Sequence, residues 1–142
     1  MIRKKVVAIV PAREKSTRLK NKNMKKFNGQ PLIQWTIESA LKSKFINKII
    51  VTSDSDRILK FCSNFKSIIV SKRPKKLATK NSKIKDVVLY EIKNNELKNY
   101  DYFVLLQPTS PLRTLKTIDE SIKLCIKKKA NTCVSFYKIK KK

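Results

Sequence analysis

Between Pro11 and Asn23 the chain reads P-A-R-E-K-S-T-R-L-K-N-K-N: two arginines, three lysines, one serine, one threonine and two asparagines, against one acid, Glu14. Cations and hydroxyls at that density suit an anionic ligand with many oxygens, most simply a phosphate chain. Charge-assisted hydrogen bonds to phosphate are the strong ones. The stretch follows an apolar run, Val6 to Val10, with the pattern of a buried strand. A strand that feeds such a loop makes a lip at the carboxyl end of a sheet, where ligands of open α/β folds sit. Lysine is abundant throughout the chain, so the loop taken alone does not separate a binding lip from a basic background.

The elements that must position this lip alternate along the chain. Lys5 to Val10 is expected as strand one. Pro31 to about Ser43 is expected as a helix, with Pro31 pre-organised at its first position and Trp35 among its buried residues. Lys48 to Thr52 is strand two, and the polar turn Ser53 to Asp56 offers caps for a helix reaching about Phe65. Ser67 to Ser71 is strand three, and a loop holding Arg73-Pro74 follows it. Ser82 to about Leu97 has helical spacing through Ile84, Val87, Val88 and Ile92; only Glu91 breaks that apolar face. Asp101 to Leu106 is strand four, with Gln107 to Arg113 as its exit loop. Thr117 and Glu120 match a capping box for a helix to about Lys128, and Thr132 to Ile139 is strand five. Alternation over the whole length, without a linker or repeat, predicts one domain, residues 1–142, with a mainly parallel sheet covered by helices on both faces. The polar motifs fall after strands one, three and four, and that clustering favours a binding lip over scattered lysine.

Composition narrows the class. The net charge is +25, from 35 basic and 10 acidic residues. A basic surface of that size invites a nucleic-acid reading, yet 29 of the cations are lysine spread over solvent-facing positions, and no aromatic-interleaved strand motif is present. Nucleic acid is therefore the less favoured partner. Four of the six arginines, Arg13, Arg18, Arg73 and Arg113, lie in loops after strands, where a planar bidentate donor is useful. No run of 18 apolar residues predicts a membrane span, and no secretory signal is evident. Cys62, Cys125 and Cys133 fit no zinc spacing, and there is no histidine. Core filling in a reducing cytoplasm is the expectation for them. The first loop is neither a Walker A nor a G-x-G-x-x-G, and Gly29 is the chain's one glycine. Phosphate would have to be held by side chains and ordinary amides.

The ordered motifs resemble the sugar-acid cytidylyltransferases, the acylneuraminate (CMP-sialic acid) synthetases and their relatives for pseudaminic, legionaminic and Kdo-type acids. The resemblance runs through P-A-R-x-x-S-x-R-L-x-x-K-N at Pro11 to Asn23 and N-G-Q-P-L-I-Q-W-T-I-E-S-A at Asn28 to Ala40. It continues through V-T-S-D at Val51 to Asp54, R-P-x-x-L-A-T at Arg73 to Thr79, D-V-V at Asp86 to Val88, and L-L-Q-P-T-S-P-L-R at Leu105 to Arg113. It implies a Rossmann-like nucleotidyltransferase fold and a transfer in which CTP and a 2-keto sugar acid give a CMP-sugar and pyrophosphate, with Mg²⁺. Such a product serves lipopolysaccharide or capsule biosynthesis.

By position, the resemblance puts Ala12 and Arg13 on cytosine or triphosphate, Ser16 and Lys22 on phosphate, Asn23 on the nucleotide, and Arg73 on the nucleotide side. Ser82 would stand in for a family serine. Arg13 and Lys22 would be the catalytic cations, because cations fixed before reaction suit the charge that builds on the leaving pyrophosphate. Gln107, Thr109, Ser110 and Arg113 would face the sugar acid. Other roles stay open for some of these: Lys22 as a solvated lysine, Arg113 as a partner of Asp119 or Glu120, and Thr109 and Ser110 as turn residues. Two departures stand out. Glu14 and Lys15 occupy a place where the family is glycine-rich, which sets a carboxylate beside the expected triphosphate. Family chains also continue well past this length, where they supply acidic metal ligands and often a dimer-forming extension. This chain is thus expected to lack the family's carboxyl-terminal part, and no metal ligands are named in it.

Overall fold

A computed structural model describes residues 4–15 and 19–136. Among these, a four-stranded parallel sheet forms from β1 (Val6–Pro11), β4 (Lys48–Ser53), β5 (Ile69–Lys72) and β6 (Tyr102–Leu105), in the order β5-β4-β1-β6. β1 is central, pairing with β4 from Val7↔Lys48 to Pro11↔Thr52 and with β6 from Val6↔Tyr102 to Ile9↔Leu105. A strand buried on both faces reads as a continuous apolar run rather than an alternating one. That is why V-V-A-I-V occupies the centre, every residue buried.

The helices α1 (Leu32–Leu41), α2 (Asp56–Cys62) and α4 (Leu115–Lys128) cover one face, and α3 (Ile84–Asn94) the other. α1 presents Ile33, Thr36, Ile37 and Ala40 inward, the i, i+3, i+4, i+7 stripe of a helix laid on a core. Ile118 and Ile122 of α4 join the same apolar cluster. On the opposite face Val7, Ile9 and Ile50 pack with Leu97 and, partly buried, Val88, Ile92 and Tyr100. Burying each fully enclosed isoleucine contributes roughly 1.5–3 kcal/mol.

Chain direction makes a functional point. From β1 the chain moves outward to β4 and β5, and then α3 carries it back across β1 to β6. The loops leaving β1 and β6 therefore diverge from neighbouring strands, which is the topological switch point where open α/β sheets bind ligands.

Several local expectations change. Lys26–Phe27 (β2) and Gln30–Pro31 (β3) form a small antiparallel hairpin before α1. Asn28 and Gly29 turn it with φ of 47° and 85°, the two positive values a tight hairpin turn requires. Pro31 is extended at the N-cap, so α1 begins at Leu32. Trp35 is half-buried rather than core: its Nε1 donates to Phe27 O at 2.9 Å and its ring meets Phe27 edge-on, clasping the hairpin to the helix. α4 is capped by Thr114, whose Oγ1 accepts the Thr117 N–H at 3.2 Å, and not by a box starting at Thr117. Ser55 stands at the N-cap of α2 but donates its hydroxyl to Glu14 Oε1 at 3.4 Å. Residues 132–136 are not a strand, and Val134 and Phe136 are exposed. They do not pair with β6, whose outer edge stays open among the described residues. The remainder of that expected strand lies outside the described residues.

Candidate functional site

Three strand exits and the start of one helix converge at the switch point. The β1 loop brings Arg13, Lys22 and Asn23; the β5 loop brings Arg73, Leu77, Thr79, Lys80 and Ser82; the first turn of α3 brings Ile84 and Val87; the β6 loop brings Gln107, Pro108 and Thr109. Together with Pro11 they enclose a cleft of about 310 Å³. Among the described residues four of those lining it are cations and none is a carboxylate. Leu77, Ile84, Val87 and Pro108 give it an apolar wall.

Hydrogen bonds fix most of these groups. Ala12, buried at the end of β1, donates its N–H to Thr52 O at 2.9 Å and anchors the start of the loop. Asn23 Nδ2 donates to Arg13 O at 3.1 Å, so the loop closes on its own base. Arg13 Nη1 reaches across to Thr79 O at 3.2 Å and joins the β1 and β5 loops. Ser82 Oγ accepts the Thr79 N–H at 3.0 Å and donates to Lys76 O at 2.9 Å. Ser82 therefore shapes the rim of the cleft, holding the carbonyl-bearing turn that Arg13 grips. Arg73 is 5% exposed; its N–H continues the sheet ladder to Ser53 O at 2.9 Å, while its Nε has no protein partner. Burial pulls the Arg73 guanidinium below the ordinary arginine range, Asp54 and Glu91 oppose that, and nearby Arg13 adds to it. Two guanidiniums that repel each other across a small cleft favour an anion between them.

Glu14 is the residue whose charge the sequence sets against this site. Its carboxylate turns away, accepting from Ser55 Oγ, and its N–H donates to Asp54 Oδ1 at 2.9 Å. Two acids beside the lip are thus engaged with the β4 exit.

The remaining expected residues lie elsewhere. Ser16 falls outside the described residues. Ser110 is exposed and outside the cleft lining, its N–H donating to Gln107 O at 3.3 Å. Arg113 points away from the cleft, into a second groove of about 780 Å³ between β6, α4 and residues 130–135. It pairs with neither Asp119 nor Glu120: its Nη2 donates to Gln107 O at 3.2 Å, bracing the β6 exit loop from behind. Burial also lowers its pKa, and its Nη1 is enclosed without a partner. Thr79 and Lys80 are the additions from structure. The L-A-T motif signalled the first, while the lysine excess hid the second.

Metal binding can be tested on the donor set. Among the described residues no three His, Cys, Asp or Glu side chains gather as ligands, and the acids nearest the cleft, Asp54 and Glu14, are already hydrogen-bonded. Glu91, beneath the cleft, is likewise engaged by Thr52 and Asn95, and these residues do not fit a protein-built Mg²⁺ cage. Among the described residues no helix is long and apolar enough to cross a membrane.

A parallel sheet with helices on both faces, reversing its strand order at a cation-lined cleft, defines a Rossmann-like nucleotidyltransferase architecture. A family model described as cytidylyltransferase matches residues 7–141, and the chain belongs to that family. It is 37% identical over 123 residues to an N-acylneuraminate cytidylyltransferase of Escherichia coli O18:K1:H7, covering 87% of this chain and 29% of that protein. It is 33% identical over 123 residues to a CMP-N,N'-diacetyllegionaminic acid synthase of Legionella pneumophila, covering 84% of this chain and 53% of the relative. In fold it resembles a CMP:2-keto-3-deoxy-manno-octonic acid synthetase solved in complex with CTP, with a TM-score of 0.76 at 21% identity, over 89% of this chain and 49% of that one. The chain thus spans from under a third to about half of the length of these proteins.

Proposed function

We propose that this chain is the nucleotide-binding part of a cytidylyltransferase that activates a 2-keto sugar acid with CTP. The observation that carries the proposal is the switch-point cleft, whose lining among the described residues has four cations, no carboxylate and one apolar wall. The triphosphate lies against Arg13 and Lys22, and the base rests toward Leu77, Ile84 and Val87. Gln107 and Thr109, on the β6 side of the same cleft, meet the acceptor. The sugar's anomeric hydroxyl attacks the α-phosphorus in line and releases its proton to solvent, the bond from that phosphorus to the bridging oxygen breaks, and pyrophosphate leaves. Arg13, already fixed by Thr79 O, neutralises the charge that develops without reorganising at the moment of reaction. Mg²⁺ is proposed as an ion carried by the phosphate oxygens of CTP, which are hard ligands of the type it prefers. None of the steps above is assigned to it.

Pyrophosphate release from CTP and Mg²⁺, with N-acetylneuraminic, pseudaminic and legionaminic acids in turn, tests this reading. Release with one acid, lost in Arg13→Ala, is the expected outcome. A second reading, a CTP-binding domain without turnover, is favoured by the share of the relatives' length that this chain spans. CTP binding without release under any acid selects it, and neither binding nor release overturns both.

A further inference from the structure

α3 buries a carboxylate that the nucleotide reading leaves unused. Glu91 is fully enclosed and lies one turn beyond Val87, which lines the cleft. Its Oε1 accepts from Thr52 Oγ1 at 2.5 Å and its Oε2 from Asn95 Nδ2 at 2.8 Å. Those bonds satisfy the oxygens but bring no positive charge, and a buried carboxylate is costly without one. Thr52 pairs in register with Ser71 of β5. Side chains alternate along a strand, so Thr52, Ser71 and, two residues on, Arg73 project from the same face of the sheet, the one that α3 covers. Arg73 is the buried cation of that face. Among the described residues Arg73 makes no ion pair within 4 Å; Asp54, half-exposed, and Glu91, enclosed, are the acids near enough to oppose the effect of burial on its guanidinium.

We infer that Glu91 is a positioning residue for Arg73: from beneath the cleft, the charge of this buried carboxylate, rather than a direct hydrogen bond, biases where the guanidinium rests to meet a nucleotide's anionic groups. Only that last step rests on the nucleotide reading. The competing role is a plain tie between α3 and β4, which Thr52 and Asn95 alone would satisfy. Glu91→Gln and Asn95→Ala together separate the two roles: glutamine keeps the size and, through its one oxygen, the Thr52 bond, but it removes the charge and cannot accept from Asn95 Nδ2, whereas Asn95→Ala removes that same bond and keeps the charge. The sign of the ligand effect also separates them. Deleting a carboxylate that merely lies near an anion site removes repulsion and tightens CTP binding, whereas deleting one that orients an arginine weakens it.

The experiment follows the Arg73 Nε–H resonance in the ¹⁵N-labelled full chain, assigned by its loss in Arg73→Lys, alongside calorimetric titration with CTP. In Glu91→Gln, solvent exchange of that proton should quicken about tenfold and the CTP Kd should rise about fivefold or more. Asn95→Ala should leave that exchange within about twofold of wild type; if Glu91→Gln fails to fold by circular dichroism, Glu91→Asp, which keeps the charge but draws it back by one methylene, should move the same resonance in the same direction. An unchanged Arg73 resonance, or tighter CTP binding in Glu91→Gln, overturns the inference. If the wild-type chain binds no CTP, the nucleotide reading fails and the Nε–H exchange alone decides this one.

Discussion

Two concavities flank the β6 exit, and the larger is the less organised. The groove along the outer edge of β6 is more than twice the volume of the switch-point cleft and runs over apolar side chains such as Val104, Ile118 and Ile122. Among the described residues nothing pairs with that edge of β6, and Phe103 and Leu105 remain partly exposed. The cleft is small, but its groups come from three strand exits and the first turn of α3, and the loops are tied to one another through Thr79, Asn23 and Ser82. Volume records what is left uncovered. Convergent, pre-bonded charge records what the fold has been arranged to hold.

Thiol chemistry should give the largest contrast. Cys133 is exposed in the groove, whereas Cys62 is buried under α2 with its thiol pushed up to about 12 by burial. At pH 8 a thiol of that pKa is thiolate in roughly one molecule in 10⁴. An aromatic disulfide reagent should therefore modify Cys133 quickly and leave Cys62 untouched until the chain unfolds, as mass spectrometry of timed samples would show. Modification at Cys133 should not change CTP affinity; a large loss would mean the groove takes part in nucleotide binding.

Arg13→Ala comes next. A hydrogen bond from a charged group is worth about 1.5–3 kcal/mol, so its Kd for CTP should rise about 10- to 100-fold. Arg113→Ala, on the groove side, should change that Kd by less than about threefold, the size of a bracing effect transmitted through Gln107 O. Equal losses in the two variants would erase the distinction between the concavities.

Thr52→Val leaves a buried carboxylate oxygen of Glu91 without its donor. Urea denaturation should show a loss of about 1–3 kcal/mol, whereas Ser121→Ala in the groove should fall within about 0.5 kcal/mol of wild type.

The smallest effect belongs to Asp101 at the base of the groove. Its carboxyl is held below the ordinary range by a hydrogen bond from Lys4 Nζ at 2.9 Å and by the Lys5 N–H at 2.8 Å. A folded pKa below the unfolded one gives stability that is present above the unfolded value and disappears as pH falls through the folded value. Acid unfolding of Asp101→Asn should begin from a slightly lower stability at neutral pH and lose less of it below the carboxylate range.

The order of the four sheet strands and the four helices was legible in the sequence, because fully buried parallel strands read as apolar runs and the helices carry 3.6-residue stripes; the fifth strand expected from Thr132 is not one over residues 132–136. The gathering of Arg13, Lys22, Asn23, Arg73 and Gln107 was legible too, since each follows a strand and strand exits share one end of a parallel sheet. Side-chain destinations were not. Glu14 looked like an obstacle in the lip, but whether it faces the ligand or Ser55 depends on a neighbour 41 residues away. Arg113 leaves the loop on the opposite side from Gln107, a matter of a few backbone angles in a proline-containing turn. Glu91 announced itself as a break in an apolar stripe, yet its partner Thr52 lies on another element, 39 residues back. The hairpin was signalled by Asn28-Gly29, but its strands are two residues each, too short for alternation to show.

A ¹H–¹⁵N correlation spectrum of the wild-type chain during a CTP titration tests the central claim most directly. Saturable, one-to-one shifts concentrated at Arg13, Asn23, Arg73, Thr79 and Gln107, with Val104, Cys125 and Cys133 unmoved, are the predicted result. Shifts concentrated along β6 and α4, or no saturable shifts at any CTP concentration, would contradict it.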